Sequence, residues 1–270
     1  MSKQARYKRI KALETKISYE LTIIMLVNQI RFRQPNVGGR KLHQMLADPA
    51  YGLPVSIGRD RLFRLLKDRG MQSKLFKRFK KTTNSNHKLP VYPYLIKGMK
   101  IEAANQVWVS DITYIRLAPN KFCYLFLVSD LYSRKVLGYA VKPTLNTEGA
   151  EEALQMALDY AKPKAGFIHH SDHGVQYCSR NYVSLLEQRG AVISMTGPDR
   201  CYDNAVAERI NGILKQEFGL DATFPNIKAV WLLAVDSIDI YNNERLHFSL
   251  GLQTPSKVYE ESVRVRLKSA

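Results

Sequence analysis

The first seventy residues show the apolar spacing of short helices. Residues 17–33 predict one helix, which Pro35 ends, and residues 40–46 predict a second. After a turn over Asp48 to Pro54, a third helix begins at Ser56, which can cap it, and ends at Gly70. In the first helix the residues at helical intervals are Ile17, Leu21, Ile24, Met25 and Ile30. The segment is therefore expected to be a small helical domain.

The third predicted helix has an apolar face and an arginine-rich face. Its inward residues are expected to be Ile57, Leu62, Phe63, Leu65 and Leu66, and its outward residues Arg59, Arg61, Arg64, Lys67 and Arg69. Two short helices joined by a tight turn, the second rich in arginine, are typical of a helix-turn-helix reader of the DNA major groove. A helical bundle with a merely solvated basic face is the alternative.

From residue 105 onward the pattern is that of strands, then of alternating strands and helices. The runs VWVSDITYIR, FCYLFLVSDLYSR and KVLGYAV are rich in β-branched and aromatic residues and predict an antiparallel meander. They are followed by a helix over 147–160, the strand GFIHH, a helix over 179–189, the strand AVISM and a helix starting near Asp203. This order predicts an α/β protein with a mixed sheet and helices on its faces.

The charge of the chain is uneven. The net charge is +17, yet residues 1–100 hold 23 Lys and Arg against 5 Asp and Glu, while residues 101–270 hold 18 against 19. We expect a basic helical DNA-binding region over 1–75 and a basic linker over 76–104. In the linker the phosphate-tracking residues are expected to be Lys77, Arg78, Lys80 and Lys81. The alternative for the linker is a solubilising tether.

The three cysteines and the apolar runs bear on the compartment. The cysteines show no Cys-x-x-Cys spacing, which argues against a disulfide framework or a structural zinc site. The N-terminus lacks the apolar core of a signal peptide, and no apolar run is long enough to cross a bilayer. We expect a soluble cytoplasmic protein without a membrane partner.

Three carboxylates stand in or just beyond apolar elements: Asp111 in the first strand, Asp172 just past the fourth, and Glu208 on the helix that follows. If they share one crevice, each pair repels by roughly 4 kcal/mol at 4 Å and an effective dielectric near 20. A divalent cation offsets that repulsion, and oxygen ligands favour Mg²⁺ or Mn²⁺ over zinc. Two such ions would serve a metal-dependent phosphoryl transferase. The alternative is that these are surface or capping acids.

The sequence motifs around these acids resemble those of one protein family. NQVWVSDITYI, HSDHGVQY, CYDNAVAERINGILKQE and YNNERLHFSLGLQTPSKVY are similar to the DDE transposases of bacterial insertion sequences, specifically the second-reading-frame (orfB-type) product, which has a retroviral-integrase-like catalytic core. The resemblance implies a ribonuclease-H-like mixed five-stranded sheet with flanking helices, preceded by a helix-turn-helix-like domain. It places the catalytic core at 105–220, completed by a C-terminal helix and tail at 221–270.

The resemblance also implies a reaction and a set of ligands. Asp111, Asp172 and Glu208 become the catalytic metal ligands for two Mg²⁺ or Mn²⁺ ions, and Lys215 and Asn211 become DNA contacts. The implied reaction is nicking at the element's ends followed by attack of the freed 3′-hydroxyl on another phosphodiester. The implied partners are the terminal inverted repeats, target DNA and further copies of the chain at the nucleoid. An upstream-frame protein or fusion is also compatible with it.

Some interpretations stay open at this point. The chain is either the active transposase, a DNA-binding regulatory module inactive without an upstream-frame fusion partner, or a ribonuclease-H-type nuclease. His169 is expected to pack or bond within the sheet. Tyr241, Asn242, Arg245 and His247 either contact DNA or form a latch that holds the C-terminal segment.

Overall fold

The computed structural model describes residues 2–53, 55–73, 89–197 and 204–268, with side chains up to residue 266. The chain divides into two units, Met1–Lys77 and Arg78–Ala270. Lys77, Arg78, Lys80 and Lys81 lie outside the described residues, so their role in DNA binding remains a prediction. In the described part of the chain, no helix combines the length and apolar composition that crossing a membrane requires.

Within the described residues of the first unit there are three α-helices: α1 (Lys3–Arg33), α2 (Gly39–Leu46) and α3 (Arg59–Asp68). Helix α1 begins 14 residues before the predicted start at residue 17. Residues 3–16 are rich in Lys, Arg and Ala, which are good helix formers even where no apolar face is buried. The hydroxyl of Ser2 caps the new start by accepting the amide of Ala5 at 3.2 Å.

The buried face of α1 shares only Ile30 with the apolar series that predicted the helix. Ile23, Val27 and Ile30 are buried, whereas Leu21 and Met25 are 48% and 70% exposed. Ile17 is likewise exposed, so among the apolar residues at the predicted helical spacing only Ile30 is fully buried. The spacing of Ile23, Val27 and Ile30 also fits a helix, and contacts with the rest of the unit choose that stripe.

The connection between α2 and α3 is also longer than expected. It spans residues 47–58 and includes a single 3₁₀ turn at Pro49–Tyr51, so the predicted tight turn is wrong. The N-cap position of α3 is Gly58 rather than Ser56. Leu62, Leu65 and Leu66 are buried as expected, while the ring of Phe63 is partly exposed. Residues Arg59, Arg61 and Arg64 are on the exposed side of the helix.

The second unit is built on a mixed sheet. Its strands are β1 (Val107–Leu117), β2 (Lys121–Asp130), β3 (Val136–Lys142), β4 (Ile168–Ser171), β5 (Val192–Met195) and the two-residue β6 (Thr223–Phe224). The order is β3-β2-β1-β4-β5, with β6 beside β1. Strands β1, β2 and β3 are antiparallel, and β4 and β5 run parallel to β1. This is the expected ribonuclease-H-like arrangement, with β6 as one short strand more than predicted.

Helices cover both faces of the sheet. They are α4 (Thr147–Ala161), α5 (Arg180–Gln188), α6 (Ala205–Phe218), α7 (Ile227–Asn243) and α8 (Pro255–Lys268). Alternate residues of β2 point to opposite faces: Phe126 packs with α4 and α5, and Leu127 packs with α6 and α7. Helix α4 approaches β3 so closely that a Cβ on Gly138 would lie 2.0 Å from the carbonyl oxygen of Ala153.

Candidate active site

Asp111 and Asp172 emerge from neighbouring parallel strands at the same level. Asp111 lies in the middle of β1, the strand bonded on one side to β2 and on the other to β4. Val109 pairs with His170, and each aspartate is two residues further along its own chain. Adjacent strands are about 4.8 Å apart, so this register places Asp111 and Asp172 side by side, at the point where β4 ends.

Glu208 belongs to the first turn of α6, which contacts β1. Two side chains of this segment are bonded to β1. Asn204 Nδ2 donates to the carbonyl oxygen of Ser110 at 2.8 Å, and Asn211 Nδ2 donates to Asp111 Oδ2 at 2.8 Å. Glu208 lies between these two anchors and remains solvent-exposed. Helix α6 is thus held beside Asp111 on both sides of the glutamate.

The pKa of Asp111 records this environment. It is raised from 3.8 to about 7, first by burial and next by the charge of Asp172. The hydrogen bonds from Asn211 and from the amide of Ile112 act in the opposite direction, and Glu208 adds a smaller upward effect. The negative charges of Asp172 and Glu208 therefore both raise the pKa of Asp111.

These acids do not form a finished coordination site. Among residues 2–53, 55–73, 89–197 and 204–268, no group of three His, Cys, Asp or Glu side chains is placed to hold a metal ion. Asp172 is oriented locally, because its Oδ1 accepts the amide of Gly174 at 2.9 Å. The structure thus brings the two aspartates side by side at the end of β4 with Glu208 nearby, but short of joint coordination.

A buried polar cluster lies directly behind Asp111. His169 Nε2 is 2.8 Å from Ser110 Oγ and 2.9 Å from Tyr182 Oη. Burial lowers the pKa of His169 to about 3, so the ring is neutral at physiological pH. The expectation that His169 bonds within the sheet is confirmed. Its partners Ser110 and Tyr182 were missed, since no sequence signal links residues so far apart.

Lys215 shares a face of α6 with Glu208 and Asn211, since the three are spaced by three and four residues. Burial lowers the pKa of Lys215, while the negative charge of Asp111 acts to raise it. The amide of Asn211 is occupied by Asp111, and the residue is 5% exposed. DNA contacts by Lys215 and Asn211 remain predictions.

Comparison with known proteins decides the family. Two models of the integrase core domain match, over residues 102–201 and 189–255. The uncharacterized 31 kDa protein of insertion element IS600 from Shigella sonnei is 38% identical over 243 residues, which cover 89% of this chain and 87% of that protein. The transposase for insertion sequence element IS629 from Shigella sonnei is 30% identical over 212 residues, covering 77% and 71%. The chain belongs to the insertion-sequence transposases with an integrase core.

Among solved structures, this transposase is similar to the catalytic core domain of BIV integrase. The sequences are 17% identical, the TM-score is 0.47, and the match covers 60% of the transposase and 99% of that domain.

The predicted DNA-facing arginines of the transposase differ in their surroundings. Arg59 Nε contacts Asp60 Oδ1 at 2.9 Å. The guanidinium of Arg61 lies 5.1 Å from the ring centroid of Tyr19, and its Nη2 is 3.6 Å from Glu20. Arg64 is exposed. All three side chains are accessible to a phosphate backbone, and their role in binding remains a prediction.

The tail of the transposase contains residues that the sequence left undecided. Tyr241, Asn242, Arg245 and His247 are all buried, at 0%, 8%, 3% and 7% exposure. Asn242 accepts the amide of Val136 and donates to its carbonyl oxygen, both at 2.9 Å. The structure therefore places these residues inside the fold, as the latch interpretation expects.

Proposed function

We propose that this transposase cuts and joins DNA strands at Asp111, Asp172 and Glu208, which together hold two Mg²⁺ or Mn²⁺ ions. The observation that carries the proposal is the Asp111 carboxylate, which is partly buried in the central strand and has a pKa raised to about 7 by burial and by Asp172. A buried acid of this kind is stabilised in its charged form by a cation. Clustered perturbed acids are typical of functional sites.

The donor chemistry supports magnesium or manganese. All three candidate ligands are carboxylates, the type of ligand that these hard ions prefer. Asn211 holds one oxygen of Asp111 and so restricts how the carboxylate turns. When bound, two such ions would supply activation of a water or hydroxyl nucleophile and stabilisation of the departing oxygen of a phosphodiester.

The other residues of the site bind and orient DNA in this proposal. Lys215, whose ammonium interacts electrostatically with the Asp111 carboxylate, would neutralise a phosphate close to the reacting linkage. Arg59, Arg61 and Arg64 on α3 would hold the terminal inverted repeat. The 3′-hydroxyl freed by hydrolytic nicking would then attack a phosphodiester of target DNA, and the new linkage would form as the 3′-oxygen of the target strand departs. We propose that this occurs in an oligomer of the chain, in the compartment that holds the chromosome.

A second candidate function is that of a regulatory DNA-binding chain that becomes active only with an upstream-frame partner. It is favoured by one observation, namely that Glu208 is exposed and the described residues form no finished metal site. If this candidate is correct, binding of DNA to the isolated chain does not bring Glu208 together with Asp111 and Asp172 to hold metal. The two candidates differ in whether the isolated chain nicks DNA.

The test uses a labelled duplex that carries one end of the element, with Mg²⁺ or Mn²⁺. We expect nicking and strand transfer by the intact chain and loss of both in Asp172→Asn and Glu208→Gln, with DNA binding retained. Asp236→Asn, on an exposed part of α7, is the matched control and should retain activity. Full activity in Asp172→Asn would overturn the proposal. DNA binding without metal-dependent nicking by the intact chain would favour the regulatory candidate.

A further inference from the structure

A buried ion pair joins the end of α6 to the segment after α7. Arg245 Nε donates to Glu217 Oε2 at 2.8 Å and Nη2 donates to Oε1 at 2.7 Å, so both carboxylate oxygens are bound. The side chains of Arg245 and Glu217 are 3% and 18% exposed. A planar guanidinium that binds both oxygens fixes direction as well as distance. The pair therefore restrains the rotation of α6 as well as its position.

Further contacts fix the arginine itself. Arg245 Nη1 donates to His247 Nε2 at 2.8 Å, and its guanidinium lies 5.8 Å from the ring centroid of Tyr241. The rings of Tyr241 and His247 meet edge to face at 5.0 Å. The hydroxyl of Tyr241 donates to the carbonyl oxygen of Arg134, in the connection between β2 and β3. Through Tyr241, the pair is thus linked to the connection between two strands of the sheet.

Glu217 belongs to the helix that carries the proposed ligand Glu208. Glu208 lies on the same face as Asn211, whose amide binds Asp111. A 14-residue helix transmits a restraint at one end to the other, because its backbone hydrogen bonds hold successive turns together. A rotation of α6 would swing Glu208 and break the contact between Asn211 and Asp111.

We infer that Glu217 and Arg245 are positioning residues, which set the rotation of α6 so that Glu208 can join Asp111 and Asp172 around the metal ions. This inference rests on the proposed function. The ion pair neither touches DNA nor holds metal. Its effect on the reaction is through the placement of Glu208, and a misplacement of about 1 Å can lower a rate by on the order of 100-fold.

The test uses the full chain with Arg245→Lys, which keeps the charge but loses the two-pronged geometry, and Glu217→Gln, which keeps the shape but loses the charge. Mn²⁺ binding is measured by calorimetry, and kcat and KM for a labelled element-end duplex are measured separately. We expect the Mn²⁺ dissociation constant to rise roughly tenfold to a hundredfold, as for other residues that orient metal ligands. We expect kcat to fall while KM for DNA is little changed.

Leu186→Ala is the matched control for lost stability. Leu186 is buried on α5, in the cluster on the opposite face of the sheet from α6. All variants are compared at the same interval below their own Tm. Leu186→Ala should then bind Mn²⁺ as the unmodified chain does. If Arg245→Lys and Glu217→Gln also do so and keep their kcat, the inference is overturned.

Failure of the proposed function has a different signature. In that case the unmodified chain binds no Mn²⁺, or Asp172→Asn binds it equally well. If the unmodified chain binds Mn²⁺ and Asp172→Asn does not, the proposed site stands and the variants of the ion pair decide the inference alone.

Discussion

The substitution Asp111→Asn should make the metal-free protein more stable while abolishing its proposed reaction. The folded state holds the Asp111 proton up to a pKa of about 7, whereas an unfolded chain releases it near 3.8. Between these values the unfolded state binds fewer protons, so the free energy of unfolding falls as pH rises. Above pH 7 the loss is complete and constant. An asparagine carries no charge and avoids this loss, and its carbonyl oxygen can still accept the bond from Asn211.

The size of the effect follows from the pKa difference of about 3 pH units between 3.8 and 7. At 1.36 kcal/mol for each, the full difference is about 4 kcal/mol. The Asp111 residue keeps some contact with solvent, and screening reduces the figure. We therefore expect Asp111→Asn to be more stable by about 2 kcal/mol at pH 8 and equal to the unmodified protein near pH 4.

The assay is urea unfolding in a metal chelator at several pH values. Comparing the two proteins at each pH cancels the contributions of other groups to the free energy of unfolding. One such group is His169, whose pKa is lowered to about 3 in the folded state. Its contribution to stability is lost as pH falls below 6.5, and this loss is the same in both proteins. Asp236→Asn provides the control for an exposed aspartate. Adding Mn²⁺ at pH 8 should stabilise only proteins that retain Asp111. A stability difference that does not grow between pH 4 and pH 8 would refute the reasoning.

Three further changes test other parts of the structure. Gly138→Ala should lower the free energy of unfolding by about 3 kcal/mol or more, because the new Cβ would lie 2.0 Å from a backbone carbonyl oxygen of α4. Gly212→Ala is the control, since its new Cβ would have no atom within 4 Å and should not destabilise the protein. Thermal unfolding compares the two variants. Lys215→Met should lower the slope of log affinity against log salt by about one in fluorescence anisotropy with element-end DNA, and an unchanged slope would exclude a phosphate contact. Ser110→Ala removes one hydrogen bond from buried His169 and should cost about 1–3 kcal/mol in urea unfolding, and no loss would contradict a structural role for that cluster.

Much of the candidate site was accessible from the sequence because its signals are local. Asp111 was expected inside a strand and Asp172 just beyond one, and both lie there. The order of strands and helices followed from short apolar runs and from the spacing of helical faces, which depend on neighbouring residues alone. The joint coordination of metal by Asp111, Asp172 and Glu208 depends on distances between separate elements and remains a proposal.

The sequence by itself determined the order of the elements in the integrase core, the uneven distribution of charge and the identity of the candidate acids. Only the tertiary structure decided which face of α1 is buried and that the Asn211 amide donates to Asp111. It also decided that Arg245 is buried in an ion pair with Glu217 rather than exposed to DNA. The reason is physical. A periodic pattern shows that a face is apolar, but several faces can satisfy it, and a polar residue's partner is fixed only when the fold excludes water and brings distant segments together.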